Sequence, residues 1–248
     1  MGVPTLGCAC AVCTSADPRN KRTRPSIALA YEDASVLIDT GQEFRLQALR
    51  EGITRIDAVL YTHGHADHIL GMDDLRPLTF GHPGDLPLYA DDATADTIER
   101  VFEYTFRTEN RYPTSARVQI HRLDTAIGTH VDIAGARFER IPVTHGKDTI
   151  AGYRFGSAAY LTDLSDIPVE SIERLQDLDV LILDALRRKP HPSHSHLDNS
   201  VQLVEKLQPK RAFFTHISHD LDHGPTEETL PSHIRLAYDG LRLGFEIA

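Results

Sequence analysis

Six apolar, strand-like runs of this chain run into a histidine or an aspartate. Asp39 follows "SVLI", His63 follows "IDAVLYT", His145 closes "ARFERIPVTH", Asp163 follows "AAYLT", Asp184 closes "DVLILD" and His216 follows "RAFFT". Strand ends on one rim of a sheet bring distant sequence positions together, so the pattern predicts a sheet-based fold with its chemistry gathered in a cleft at the rim. Further strand-like runs are "SIALAYE" and "TIAGYRFG". Helical spacing of apolar residues appears in "EFRLQALREG", "DATADTIERVFEYTF", "PVESIERLQDL", "LDNSVQLVEKLQ" and "TEETLPSHIRLAYDG", several of them after Asp, Thr or Pro. The class is mixed α and β.

The densest chemistry is "YTHGHADHILG", Tyr61 to Gly71. A strand ending in H-x-H presents two imidazoles at i and i+2, so His63 and His65 can share one metal ion. Asp67 and His68 follow after one residue. A chain turning into a helix there aims them back from another side, which makes a second ion plausible.

Length and charge limit the alternatives. A chain of 248 residues is within the range of one domain, and residues 1–248 contain no internal repeat or low-complexity linker. The formal charge of −10 argues against a broad basic face for tracking a nucleic-acid backbone. A small anionic ligand fits an acidic chain when bound divalent ions make one cleft locally positive. There is no apolar run of membrane-spanning length and no basic stretch leading into an apolar signal core, so the expected location is the cytoplasm.

All three cysteines, Cys8, Cys10 and Cys13, lie in "GCACAVC". Three clustered thiols are poor disulfide arithmetic and read better as ligands of a structural zinc in a loop at about 7–14, with a fourth ligand from elsewhere. Spacing leaves His194 and His196 in "HPSHSHLDN" open between solvated loop histidines and ligands. His82, His121, His130, His191 and His233 read as surface or packing residues. Arg187, in "RRK", is either part of a solvated charge cluster or a contact to a substrate phosphate.

Taken in order, "THGHADH", "THG", "LTDLSD" and "FTHISH" resemble the metallo-β-lactamase superfamily. The resemblance implies a four-layer αββα sandwich with a two-metal site on one edge. "GVPTLGCACAVC" with "THISH" and "SHSHLDN" narrows it to the PhnP-type cyclic phosphodiesterases. By position, that resemblance implies that His63, His65 and His145 hold one ion, and that Asp67, His68 and His216 hold the other, with Asp163 bridging. Cys8, Cys10, Cys13 and His219 would bind the structural zinc. His196 would contact the phosphate or protonate the leaving oxygen, and Asp39 would orient a ligand histidine. The chain differs from the better-known members around "DALRRKPHPSHSH", and because the family usually has a strand and a Gly-rich turn before "GVP", either the start at Met1 is internal or an edge strand is absent.

The expected activity is therefore hydrolysis of small cyclic phosphate esters, of the phosphoribosyl 1,2-cyclic phosphate or 2′,3′-cyclic nucleotide type, by a hydroxide bridging two zinc, manganese or iron ions. Asp67 counts among the catalytic residues of that set, and a homodimer is the usual assembly. Alternatives are a glyoxalase-II-like thioesterase, which shares nearly the whole ligand set, a tRNA-processing nuclease, and a noncatalytic metal- or nucleotide-binding protein. A zinc β-lactamase commonly places a cysteine among its active-site ligands, and a di-iron redox relative commonly has an acidic residue at the position of His65. Neither matches.

Overall fold

The structure, a computed structural model, describes residues 2–247. Its contacts divide the chain into two compact units, one of Arg24–Thr129 and one of the residues up to Thr23 together with those from His130 onward.

The Arg24–Thr129 unit is built on a five-stranded sheet in the order β1 (Ile27–Tyr31), β2 (Ala34–Ile38), β3 (Ala58–Leu60), β4 (Leu86–Asp91) and β5 (Val118–Leu123). β1 and β2 form an antiparallel hairpin, and the remaining neighbours pair in parallel. The helix Phe44–Glu51 returns the chain between β2 and β3 and ends where Gly52 takes the left-handed conformation, as glycine readily does. The helix Asp92–Val101 starts at Asp91, whose carboxylate accepts the Thr94 N–H at 3.1 Å. Phe44, Ala48, Ala95 and Ile98 from these helices join Val59, Leu86 and Leu88 from the strands in one buried cluster.

The other unit carries a seven-stranded sheet in the order β12-β11-β10-β9-β8-β7-β6. Its strands are β6 (His130–Ile133), β7 (Ala136–His145), β8 (Asp148–Phe155), β9 (Ala158–Leu161), β10 (Val180–Asp184), β11 (Arg211–Thr215) and β12 (Ile234–Leu236). β6 to β9 form an antiparallel meander, and β9 to β12 run parallel. The helix Leu197–Leu207 packs Leu203, Val204 and Leu207 into a core with Ile141, Leu161, Leu183 and Phe214. Burying that many aliphatic side chains, each worth about 1.5–3 kcal/mol, is the main force holding these elements together.

Two expectations change. The stretch 226–240 is not one helix: a short helix, His223–Glu227, ends before Pro231, and β12 follows. Proline supplies no N–H to a helix, and pairing of Ile234 and Leu236 with β11 offers that segment a buried alternative. "DATADTIERVFEYTF" is also interrupted, with Phe102 between the helices Asp92–Val101 and Glu103–Phe106. Among the described residues, no helix is long and apolar enough to cross a membrane.

Candidate functional site

In the Arg24–Thr129 unit the chemistry sits just past the ends of β2 and β3. Asp39 directly follows β2 in the left-handed backbone region, with φ 65°, a conformation that non-glycine residues adopt at a cost and that clusters at functional sites. Its fully buried carboxylate accepts the Thr62 N–H at 2.8 Å, the Thr62 hydroxyl at 2.8 Å and His68 Nδ1 at 2.7 Å. Burial pushes the Asp39 carboxyl above its ordinary range, and His68 and Thr62 pull it back. With a carboxylate on Nδ1, the His68 ring proton is fixed there and Nε2 is left with the lone pair a metal needs.

"HADHI" folds as expected: the short helix Ala66–Ile69 begins after His65 and carries Asp67 in its first turn. Gly41 and Gly71 allow it to lie against the loop after β2. A Cβ on Gly41 would stand 2.4 Å from the Asp67 carbonyl, and one on Gly71 would stand 2.1 Å from the Gly41 carbonyl. Thr40 N–H donates to the His68 carbonyl at 2.8 Å and so locks the same contact. His63 Nε2 and His65 Nδ1 lie 2.9 Å apart, with the Thr62 hydroxyl 3.0 Å from His63 Nδ1. Two imidazole nitrogens converging this closely suit a shared cation.

The other unit presents a second set. His145 closes β7, and its Nδ1 donates to the Asp163 carbonyl. Asp163 (φ 57°) and His216 (φ 55°) share the left-handed backbone of Asp39. The Asp163 Oδ2 lies 3.3 Å from His216 Nε2, and its Oδ1 accepts the Thr162 hydroxyl at 2.6 Å. Asp184, fully buried at the end of β10, lies 3.7 Å from His216 Nδ1 through Oδ1 and 3.0 Å from His194 Nδ1 through Oδ2. His194 stacks on His216 at 4.8 Å between ring centroids and meets His145 edge-on at 4.8 Å. Asp163, His194 and His216 offer ligand atoms within 4.8 Å of one another.

The side chain that joins this group from "SHSH" is thus His194. His196 lies at the start of the helix Leu197–Leu207 and belongs to none of these contacts among the described residues. The assignment by order missed it because two histidines one residue apart match one motif position equally well. Asp184 was visible as a strand-end carboxylate but received no role. Arg187 directs Nε to the Lys189 carbonyl at 3.1 Å and an NH2 group to the Pro190 carbonyl at 2.7 Å. Its guanidinium folds its own loop, which removes the geometric basis for a phosphate contact by those two nitrogens.

The thiol cluster also assembles. His219 Nδ1 lies 3.2 Å from Cys8 Sγ, 3.7 Å from Cys10 Sγ and 3.4 Å from Cys13 Sγ. All four ligand atoms fall within 4.8 Å of one another. Thr5 N–H points at Cys13 Sγ from 3.3 Å, and Cys13 N–H at Cys10 Sγ from 3.5 Å. The Cys13 N–H leads the effects that lower the Cys10 thiol to about 7. Three sulfurs and one imidazole nitrogen form a donor set that fits tetrahedral zinc. Arg22 ties the two ends of the cluster together, donating to the Ser218 carbonyl at 2.9 Å and the Leu221 carbonyl at 2.8 Å.

The beta-lactamase superfamily domain matches residues 34–217, and the chain belongs to the metallo-β-lactamase superfamily, whose fold is the αββα sandwich expected from the sequence. Within it, the chain is similar to a crystal structure described as a new diphosphatase from the PhnP family, with 54% identity, a TM-score of 0.93, and coverage of 100% of this chain and 93% of that one. Zinc-bound PqqB from Methylobacterium extorquens has the same fold at 19% identity and a TM-score of 0.77, over 98% of this chain and 96% of that one. In sequence, an octanoyltransferase from Porphyromonas gingivalis is 37% identical over 246 residues, 97% of this chain and 48% of that protein. A ribonuclease Z from Bradyrhizobium diazoefficiens is 27% identical over 146 residues, 57% of this chain and 47% of that protein. The chain spans about half the length of these two curated relatives.

Proposed function

We propose that this chain is a metal-dependent hydrolase of small phosphate esters, with a phosphodiester or a diphosphate as the scissile group. The observation that carries the reading is His194, an imidazole beyond the seven proposed ligands, anchored by Asp184 and stacked on His216. Such a group is placed to donate a hydrogen bond to a phosphoryl oxygen or a proton to the leaving oxygen. The proposed ligands are His63, His65 and His145 for one ion, and Asp67, His68 and His216 for the other, with Asp163 shared. Two divalent cations bound there would supply positive charge for the phosphoryl oxygens and for an attacking water. Asp39 fixes His68 through a hydrogen bond, and the Asp184 carboxylate lies 3.7 Å from His216 Nδ1, so a buried carboxylate stands near a histidine of the proposed set in each unit. Two ligand aspartates leave two divalent cations incompletely neutralised, which favours an anionic substrate over a neutral amide.

The sequence reading pointed to cyclic phosphate esters. The similarity to a PhnP-family diphosphatase at 54% identity favours a diphosphate as a second candidate. The octanoyltransferase name belongs to a protein of which this chain matches 48%, so acyl transfer can reside in the remainder of that protein. We assign Cys8, Cys10, Cys13 and His219 to a structural zinc, and the whole chain to one domain of a cytoplasmic homodimer.

The test is turnover by protein stripped of active-site metal and reloaded with manganese or with zinc. The substrates are a 2′,3′-cyclic nucleotide, ADP-ribose as a diphosphate diester, and S-lactoylglutathione. Metal-dependent cleavage of either phosphate substrate supports the proposal. Cleavage of the thioester alone moves the chain to the glyoxalase-II-like reading, and metal binding without turnover of any substrate favours a binding role.

A further inference from the structure

We propose that His191 is a specificity-determining residue that donates a hydrogen bond to the non-scissile phosphate of a diphosphate substrate. The inference rests on the phosphoesterase reading above and deepens it. His191 lies in "KPHPSHSH", a stretch in which the sequence alone gave it no role.

The His191 ring is in tilted contact with that of His194, with centroids 5.0 Å apart. His194 in turn stacks on His216, so His191 is the next ring outward from a group placed to meet the scissile phosphate. Its tautomer is determined by a neighbour. The Ser193 backbone N–H lies 3.3 Å from His191 Nδ1, and an N–H can only donate. Nδ1 is therefore the acceptor, and the ring proton resides on Nε2. Burial, then the nearby His194 and Arg187, lower the His191 pKa, which keeps the ring a neutral donor near pH 7.

The loop is built to hold that donor still. Pro190 and Pro192 flank His191, and proline restricts both its own φ and the residue before it. Arg187 bonds the Lys189 and Pro190 carbonyls, and Ser193 packs against Gly146, where an added Cβ would stand 3.1 Å from the serine Cβ. Arg188 and Lys189 are exposed on the same loop, giving it a local positive charge within a chain of net charge −10. A fixed N–H beside cationic side chains recognises phosphoryl oxygen. A 2′,3′-cyclic nucleoside monophosphate has no second phosphate to receive it, whereas a diphosphate does.

The test compares wild type, His191→Ala and His191→Gln on two metal-dependent substrates, bis(4-nitrophenyl) phosphate, which carries one phosphate, and ADP-ribose, which carries two. Glutamine can accept from Ser193 and still donate at its end. For His191→Ala, KM for ADP-ribose should rise about tenfold, the scale of one lost hydrogen bond to a charged group. Its kcat, its metal content and its kinetics on bis(4-nitrophenyl) phosphate should stay near wild type, and His191→Gln should recover most of the KM loss. Equal losses on both substrates, or no loss on ADP-ribose, would overturn the inference. Wild-type protein that binds metal but cleaves neither substrate would overturn the phosphoesterase reading and this inference with it, which separates that failure from a failure of His191 alone.

Discussion

Asp184 and His194 meet at 3.0 Å, Oδ2 to Nδ1, at the point where β10 gives way to the "RRKPHPSHSH" loop. The loop is held there by Ser200, whose hydroxyl donates to the Asp184 carbonyl at 2.6 Å, and by Ser195 N–H on the Leu164 carbonyl at 2.5 Å. A buried carboxylate on Nδ1 fixes the His194 tautomer and orientation, leaving Nε2 as the working nitrogen. Removing the imidazole should leave the proposed metal ligands in place. His194→Ala is therefore expected to bind its full complement of metal while losing about 10²- to 10⁴-fold in kcat. His196→Ala should stay near wild type. Metal analysis and steady-state kinetics on the same preparations check both, and loss of metal from His194→Ala would make that residue a ligand instead.

Asp39 makes a prediction of a different kind, because Thr62 and His68, which its carboxylate binds, lie in the same unit. Asp39→Ala removes the acceptor for His68 Nδ1 and for both Thr62 donors. The His68 ring is then free to rotate or change tautomer. Metal affinity should fall about 10- to 100-fold, as when a carboxylate behind a ligand histidine is lost. Competition with a chromogenic chelator measures this, and an unchanged affinity would remove Asp39 from that role.

Much of this arrangement was legible because strand ends and dense histidine motifs leave marks in one dimension. β7 coincides with the run "ARFERIPVTH", and the helix Leu197–Leu207 with "LDNSVQLVEKLQ". β4 escaped because Pro87 sits inside "LPLYAD", where it lacks a ladder N–H, yet parallel neighbours on both sides still secure the strand. β5 escaped because three of its six residues are polar or charged and it lies at the sheet edge. β12 is only three residues long and is defined by what it pairs with. The roles of His194 and Asp184 depend on a tertiary contact, and neighbouring residues in sequence do not encode which of two histidines turns inward.

Acid sensitivity should trace in part to His223. Its ring is buried, Nδ1 has no hydrogen-bond partner among the described residues, and burial lowers its pKa below the ordinary 6.5, with Arg19 and Arg22 acting in the same direction and Glu227 against. A base whose folded pKa lies below its unfolded value binds fewer protons when folded. No penalty applies well above pH 6.5. As pH falls through that value, protonation favours the unfolded chain and stability drops until the folded-state pKa is passed. Thermal melts of metal-loaded protein between neutral and mildly acidic pH should show this decline, with a shallower slope for His223→Phe. Parallel slopes would assign the acid sensitivity to other groups.

The cysteine cluster allows the structural and catalytic metals to be separated. Cys8, Cys10 and Cys13 all approach one nitrogen of His219, and Lys21 donates to the Cys13 carbonyl at 3.0 Å. Arg22 and Asn20 continue the same connection, Asn20 donating to Asp222 at 2.8 Å. The hydrophobic contacts here are few, a small cluster of Val3, Val12 and Cys13 with Cys8 against it, so a bound ion would contribute a large share of the local stability. Cys13→Ser should therefore lose one equivalent of zinc while the proposed active-site metals remain. The segment before Thr23 should then be cut by protease at lower concentration than in wild type. If Cys13→Ser keeps the same zinc stoichiometry and protease resistance, the thiols are incidental. If it loses all its metal together, the N-terminal cluster and the histidine sets form one cooperative unit, because His216 and His219 lie three residues apart and displacing one would move the other.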